Sequence, residues 1–110
     1  MRFLFNLICL YAVEDSVEEL VMGIEDGDAG SFIKLIDFAE RNYGKMLYTM
    51  GFVDIDGYML IKSCTYILID RFNGVAYALV NDGKPEVASF EVDGEDVAAV
   101  VNEVCGGDED

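Results

Sequence analysis

The spacing of apolar positions along this 110-residue chain changes period several times, and each change predicts a new element. Residues 3–11 (FLFNLICLY) are apolar on both alternating faces, as expected of a strand inside a sheet. Ser16-Val17-Glu18-Glu19 then has the capping-box spacing that opens a helix. Val17, Leu20, Val21 and Ile24 follow as one apolar stripe, with Gly27 as a stop. A second helix is predicted from about Ser31 to Tyr43. Phe32, Leu35, Ile36, Ala39 and Tyr43 share its face, Asp37 and Arg41 can pair, and Gly44 follows.

From Lys45 to Val92 the period drops to two. Lys45–Val53 and the run from Tyr58 flank Asp56-Gly57, a tight-hairpin signal. Tyr58–Arg71 reads as one bent strand or as two broken near Lys62-Ser63-Cys64. A two-residue turn at Asn73-Gly74 would set Leu68 opposite Leu79 and Asp70 opposite Tyr77. Asn81–Pro85 predicts a longer turn into Val87–Val92. Asp93 then caps a third helix striped by Val97, Val100, Val101 and Val104 and ended by Gly106-Gly107. The order β-α-α-β-β-β-β-α predicts an α+β fold. We expect an antiparallel sheet of five or six strands, with three helices packed mainly on one face. The whole chain, 1–110, reads as a single compact domain with a short acidic tail at 108–110.

Charge changes this picture more than composition does. The net charge is −15, yet 53% of residues are hydrophobic, which excludes a wholly disordered acidic chain. The acids fall in two blocks without any Lys or Arg. Glu14, Asp15, Glu18, Glu19, Glu25, Asp26 and Asp28 form the first; Glu86, Glu91, Asp93, Glu95, Asp96, Glu103, Asp108, Glu109 and Asp110 form the second. Acids in a first helical turn complement the helix dipole, which accounts for Glu18, Glu19, Glu95 and Asp96 one by one. It leaves the absence of interleaved cations unexplained. If the first and third helices are neighbours, their acids merge into one anionic patch. Direct contact with nucleic acid or with an anionic membrane is not expected, since both require clustered Lys and Arg.

Met1–Val13 has the outline of a secretion signal, but its single Arg2, the interrupting Asn6 and a bulky Leu10 favour a buried first strand. The odd set Cys9, Cys64 and Cys105, without close spacing, argues against both a disulfide framework and a zinc site. Cys9 and Cys64 read as small core residues and Cys105 as an exposed thiol. The expectation is a reducing, cytoplasmic setting, a host's cytoplasm if the chain is viral.

Candidate chemistry is sparse. Asp26, Asp28 and Asp37 have part of an EF-hand spacing, but Ser31 stands where the turn glycine belongs and Asp37 replaces the bidentate Glu. A helix-helix connection capped by Asp28 or Ser31 explains the same residues. There is no histidine, so Ser-His and Cys-His pairs are ruled out, and no Gly-rich phosphate loop precedes a helix. No cofactor is implied and an enzyme is not expected. The six tyrosines read as lining the sheet.

The reading that remains is a non-enzymatic acidic binding protein engaging a basic partner through Glu14, Asp15, Glu18, Glu19, Glu25, Asp26, Asp28, Glu95, Asp96, Glu103, Asp108, Glu109 and Asp110. Its sharpest form is a nucleic-acid mimic, from a phage or virus, that inhibits a nucleic-acid-binding host complex of the CRISPR or restriction kind. The alternatives are an assembly subunit that self-associates, as a homodimer for example, with its acids merely solubilising, and a calcium-binding protein or small carboxylate enzyme.

Overall fold

A computed structural model describes residues 16–92 and 97–106. Among the described residues, two helices, five strands and a short C-terminal helix follow in that order, confirming the α+β class. The strand expected over residues 3–11, Cys9, the Asp93 cap and the acids Glu14, Asp15, Glu95, Asp96, Asp108, Glu109 and Asp110 lie outside the described residues.

Helix α1 (Val17–Glu25) opens as its capping box predicts, with the Ser16 side chain accepting from the Glu19 N–H at 3.2 Å. Its stripe buries Leu20, Val21 and Ile24. Helix α2 (Ala29–Met50) starts at Asp28, whose carboxylate accepts from the Gly30 N–H and the Ser31 hydroxyl. Gly23 lets the two helices cross. A Cβ there would lie 2.1 Å from Ser31 Oγ and 2.7 Å from Ser31 Cβ. Gly23→Ala should therefore destabilise by about 1–2 kcal/mol in chemical denaturation, overpacking outweighing the gain of about 1 kcal/mol in helix propensity.

Helix α2 does not stop at Gly44. It kinks at Tyr43 (φ −133°, ψ 25°) and runs on to Gly51, whose left-handed backbone (φ 84°) closes the helix through a 2.9 Å bond from its N–H to Leu47 O. The strand expected from Lys45 is thus helical as far as Met50. The period-two signal there came from Met46, Tyr48 and Met50, which are exposed. The buried residue, Leu47, instead continues the α2 stripe by fours from Ala39 and Tyr43.

Strands β1 (Phe52–Ile55), β2 (Tyr58–Lys62), β3 (Tyr66–Asp70), β4 (Val75–Asp82) and β5 (Lys84–Glu91) form an antiparallel meander in sequence order. Asp56 (φ 51°) and Gly57 (φ 91°) make the predicted two-residue turn, pairing Ile55 with Tyr58. The run from Tyr58 breaks into two strands at Ser63–Thr65. The Asn73-Gly74 turn is wider than expected, so Asp70 faces Val75 and Leu68 faces Tyr77. The cause is Asp70 itself. Its carboxylate accepts from the Phe72 and Asn73 N–H groups and from Asn73 Nδ2, holding Arg71–Gly74 as a four-residue loop. The shift is two residues, which keeps every side chain on its face. The following hairpin is shorter than expected and closes at Gly83.

The sheet is buried on both faces. Leu60, Leu68 and Tyr77 are cross-strand neighbours beneath α1 and α2, in one core with Phe32, Leu35 and Ala39. Ile61, Ile67, Ile69, Ala76 and Ala78 point the other way and are covered by helix α3 (Val97–Val101), through Val100, and by the π-helical turn Asn102–Gly106 that continues it. Two helices thus share one face and the third lies on the opposite one. The expectation that the first and third helices are neighbours, with one merged anionic patch, is corrected: β2–β4 are apolar on both alternating sets of side chains, and each set needs its own cover.

The cysteine reading is corrected too. Cys64, exposed in the β2–β3 loop, is bonded to Cys105 of the C-terminal turn, with Cα atoms 5.8 Å apart across a sequence separation of 41. Neither a buried Cys64 nor a free Cys105 thiol is present. The Lys62-Ser63-Cys64 break carries Cys64 out of the core and over the end of α3.

Candidate functional site

The first acidic block is presented by α1 and the turn after it. Glu18, Glu19, Glu25, Asp26 and Asp28 are all exposed, because the apolar stripe turns the opposite side of the helix toward the sheet. The second block is represented by Glu86 and Glu91 on β5 and by Glu103, exposed in the turn after α3. Glu103 therefore cannot extend the α1 surface.

A different group does extend it. Glu18, Asp56 and Tyr58 line a shallow cleft of about 250 Å³ between α1 and the β1–β2 turn. Burial raises the Tyr58 hydroxyl pKa above its ordinary value, and the negative charges of Asp70, Glu25, Glu18 and Asp56 add to the effect. Four acids from three parts of the fold thus act on one phenol. Tyr77 is raised in the same way, by burial first and then by Glu25 and Asp70. The sequence reading missed Asp56, taking it only as a turn residue. No local pattern links it to a helix nearly forty positions earlier.

Among the described residues, no cation is ion-paired with Glu18, Glu25 or Asp56. The nearby Arg71 is bound to Asp54 at 3.1 Å and also donates to Gly57 O. Asp37 pairs with Arg41 at 3.1 Å, and Asp28 caps α2. The three residues of the EF-hand-like spacing are therefore a turn, a cap and a helix ion pair. Among the described residues, no three acids or cysteines are gathered where they could hold a metal.

A second tyrosine fastens α2 to the sheet. The Tyr66 hydroxyl donates to Glu40 Oε2, and Lys62 Nζ lies 5.4 Å from the Tyr48 ring centre and 5.7 Å from that of Tyr66. Burial, then the hydrogen bond to Glu40 and its charge, push the Tyr66 hydroxyl up to about 12. A phenol whose pKa is raised by folding stabilises the fold fully below its unfolded pKa of about 10, and that contribution disappears as pH climbs through its folded value. Phenolate absorbance should show a last ionising step near pH 12 that Tyr66→Phe removes.

Among the described residues, no helix is long and apolar enough to cross a membrane. No protein-family model, curated protein or solved structure matches the chain.

Proposed function

We propose that this chain is a non-enzymatic acidic binding protein that engages a basic partner. In its sharpest form it is a nucleic-acid mimic, of phage or viral origin, that inhibits a nucleic-acid-binding complex in the host cytoplasm. The observation that carries this reading is the cleft lined by Glu18, Asp56 and Tyr58, with the charge of Glu25 also acting on the phenol and no cation paired to these acids among the described residues. The carboxylates stand on a capped helix and a tight turn, so little ordering entropy is lost when a cation docks. A cleft with two carboxylates and a phenol suits the Lys or Arg side chains that otherwise contact phosphate. The net charge of −15 adds a long-range field that speeds the approach of a basic groove.

The self-assembly alternative gains nothing from the sheet edge. Among the described residues strand β5 stands at an edge of the sheet, and it carries Lys84, Pro85, Glu86 and Glu91, features that discourage edge-to-edge pairing.

The test is capture on immobilised full-length protein from a native extract at low ionic strength. A basic nucleic-acid-binding complex should be retained, displaced by a salt gradient and displaced equally by an added oligonucleotide. Glu18→Gln/Glu25→Gln/Asp56→Asn should release it at lower salt. Retention that neither salt nor oligonucleotide disturbs would remove the electrostatic mechanism.

A further inference from the structure

We propose that Cys64–Cys105 is a redox-operated strap whose reduction frees the Val97–Gly106 segment and opens the apolar sheet face beneath it. The inference does not rest on the proposed partner, because α3 and the Glu18–Asp56–Tyr58 cleft lie on different parts of the fold.

Three observations carry it. The covering segment is short: five α-helical residues and a five-residue π turn. Helices of that length do not persist without tertiary support. Its noncovalent support is slender, since Val100 alone is buried while Val97, Val101 and Val104 pack at the margin. Beneath it lie Ile61, Ile67, Ile69, Ala76 and Ala78, an extended apolar surface. The disulfide is the covalent tie, and it joins the far end of the segment to a loop, not to a strand. Breaking it leaves the β2–β3 and β3–β4 ladders untouched.

The bond is also placed for exchange. Cys64 is exposed in the β2–β3 loop, the side from which an incoming thiolate would approach. The Ser63 hydroxyl lies 3.6 Å from Cys105 Sγ, where it can donate to that sulfur as it leaves. In the reducing step, one thiolate of a dithiol reductant attacks Cys64 Sγ. The Cys64–Cys105 bond breaks, its electron pair departs on Cys105 Sγ, and that thiolate takes a proton. The reductant's second thiolate then closes its own disulfide and expels Cys64 as a thiolate, which takes the second proton. Two electrons and two protons thus pass from the dithiol to the cysteine pair. In the cytoplasmic setting proposed above such a bond is a redox-responsive element, because reducing compartments do not sustain purely structural disulfides.

The experiment is hydrogen exchange by mass spectrometry on the full chain carrying Cys9→Ser, oxidised and then reduced with dithiothreitol, with thiols counted by alkylation. On reduction, residues 97–106 should lose protection while β2, β3 and β4 keep theirs, and reoxidation should restore the pattern. Cys105→Ser and Cys64→Ser should each show the reduced pattern without reductant. Should either variant fail to fold, reduction of the unsubstituted pair still decides. Unchanged protection in 97–106 after complete reduction would overturn the proposal, as would simultaneous loss across the sheet. Two free thiols that resist oxidation would overturn it as well.

Discussion

Phe32→Ala should lower the unfolding free energy by about 3–5 kcal/mol, the range seen when a buried aromatic ring is truncated. Phe32 is fully buried, and it joins α1, through Leu20, Val21 and Ile24, to the sheet, through Leu60 and Leu68. It enters α2 four residues after the Asp28 cap, so its backbone is held by the helix start and is poorly placed to collapse into the cavity. Domains of this size are stable by only about 5–15 kcal/mol, so the loss removes a large share of the total. In urea, the midpoint should fall with little change in slope. Phe32→Leu, which keeps most of the volume, should cost about 1–1.5 kcal/mol. Equal losses for the two variants would mean that the ring does not span the helices and sheet as described.

Asp70→Ala is the second large effect, expected at about 2–4 kcal/mol from the loss of charge-assisted hydrogen bonds at a fully buried carboxylate. The carboxylate accepts at 3.0 Å from Phe72 N, 3.2 Å from Asn73 N and 2.8 Å from Asn73 Nδ2. Alanine leaves all three donors to find water or nothing. Asp70→Asn preserves the shape and one acceptor oxygen, so it should cost less. Denaturation curves for the pair decide the point: an alanine variant no less stable than the asparagine variant would show that the loop does not depend on the carboxylate.

Asp70 also shows why part of the fold was illegible in the sequence. Asn73-Gly74 is a strong two-residue turn signal, yet a side chain three positions earlier captured the turn's N–H groups and widened it. The α1 and α3 stripes and the Asp56-Gly57 turn were legible because each is decided within a few residues. The Ile67-Leu68-Ile69 run already carried the signal that both sheet faces are covered, since a strand with one open face alternates. Two of the three helices share one face, as expected, and the third supplies the cover that the other face needs. Met46, Tyr48 and Met50 misled for the opposite reason, being apolar, exposed and spaced by two within a helix. The Cys64–Cys105 bond and the approach of Asp56 to Glu18 depend on long-range packing, which no local pattern encodes.

The candidate surface is acidic and lies on the α1 side of the sheet. Acidic residues remain its substance, but they gather around Tyr58 on one side of the molecule and do not run from the first helix to the third.

The direct test compares two equal neutralisations on the isolated partner complex across ionic strength. One is Glu18→Gln/Glu25→Gln/Asp56→Asn. The other is Asp82→Asn/Glu86→Gln/Glu103→Gln, which removes three exposed charges away from the Tyr58 cleft. At about 0.5–1 kcal/mol per surface charge, the first set should weaken binding by about 10- to 150-fold at low salt and flatten the salt dependence. The second should leave affinity within a few-fold of the native value. Equal losses from both sets would mean that bulk charge alone drives association, and an unaltered affinity for the first would contradict a binding surface at the Tyr58 cleft.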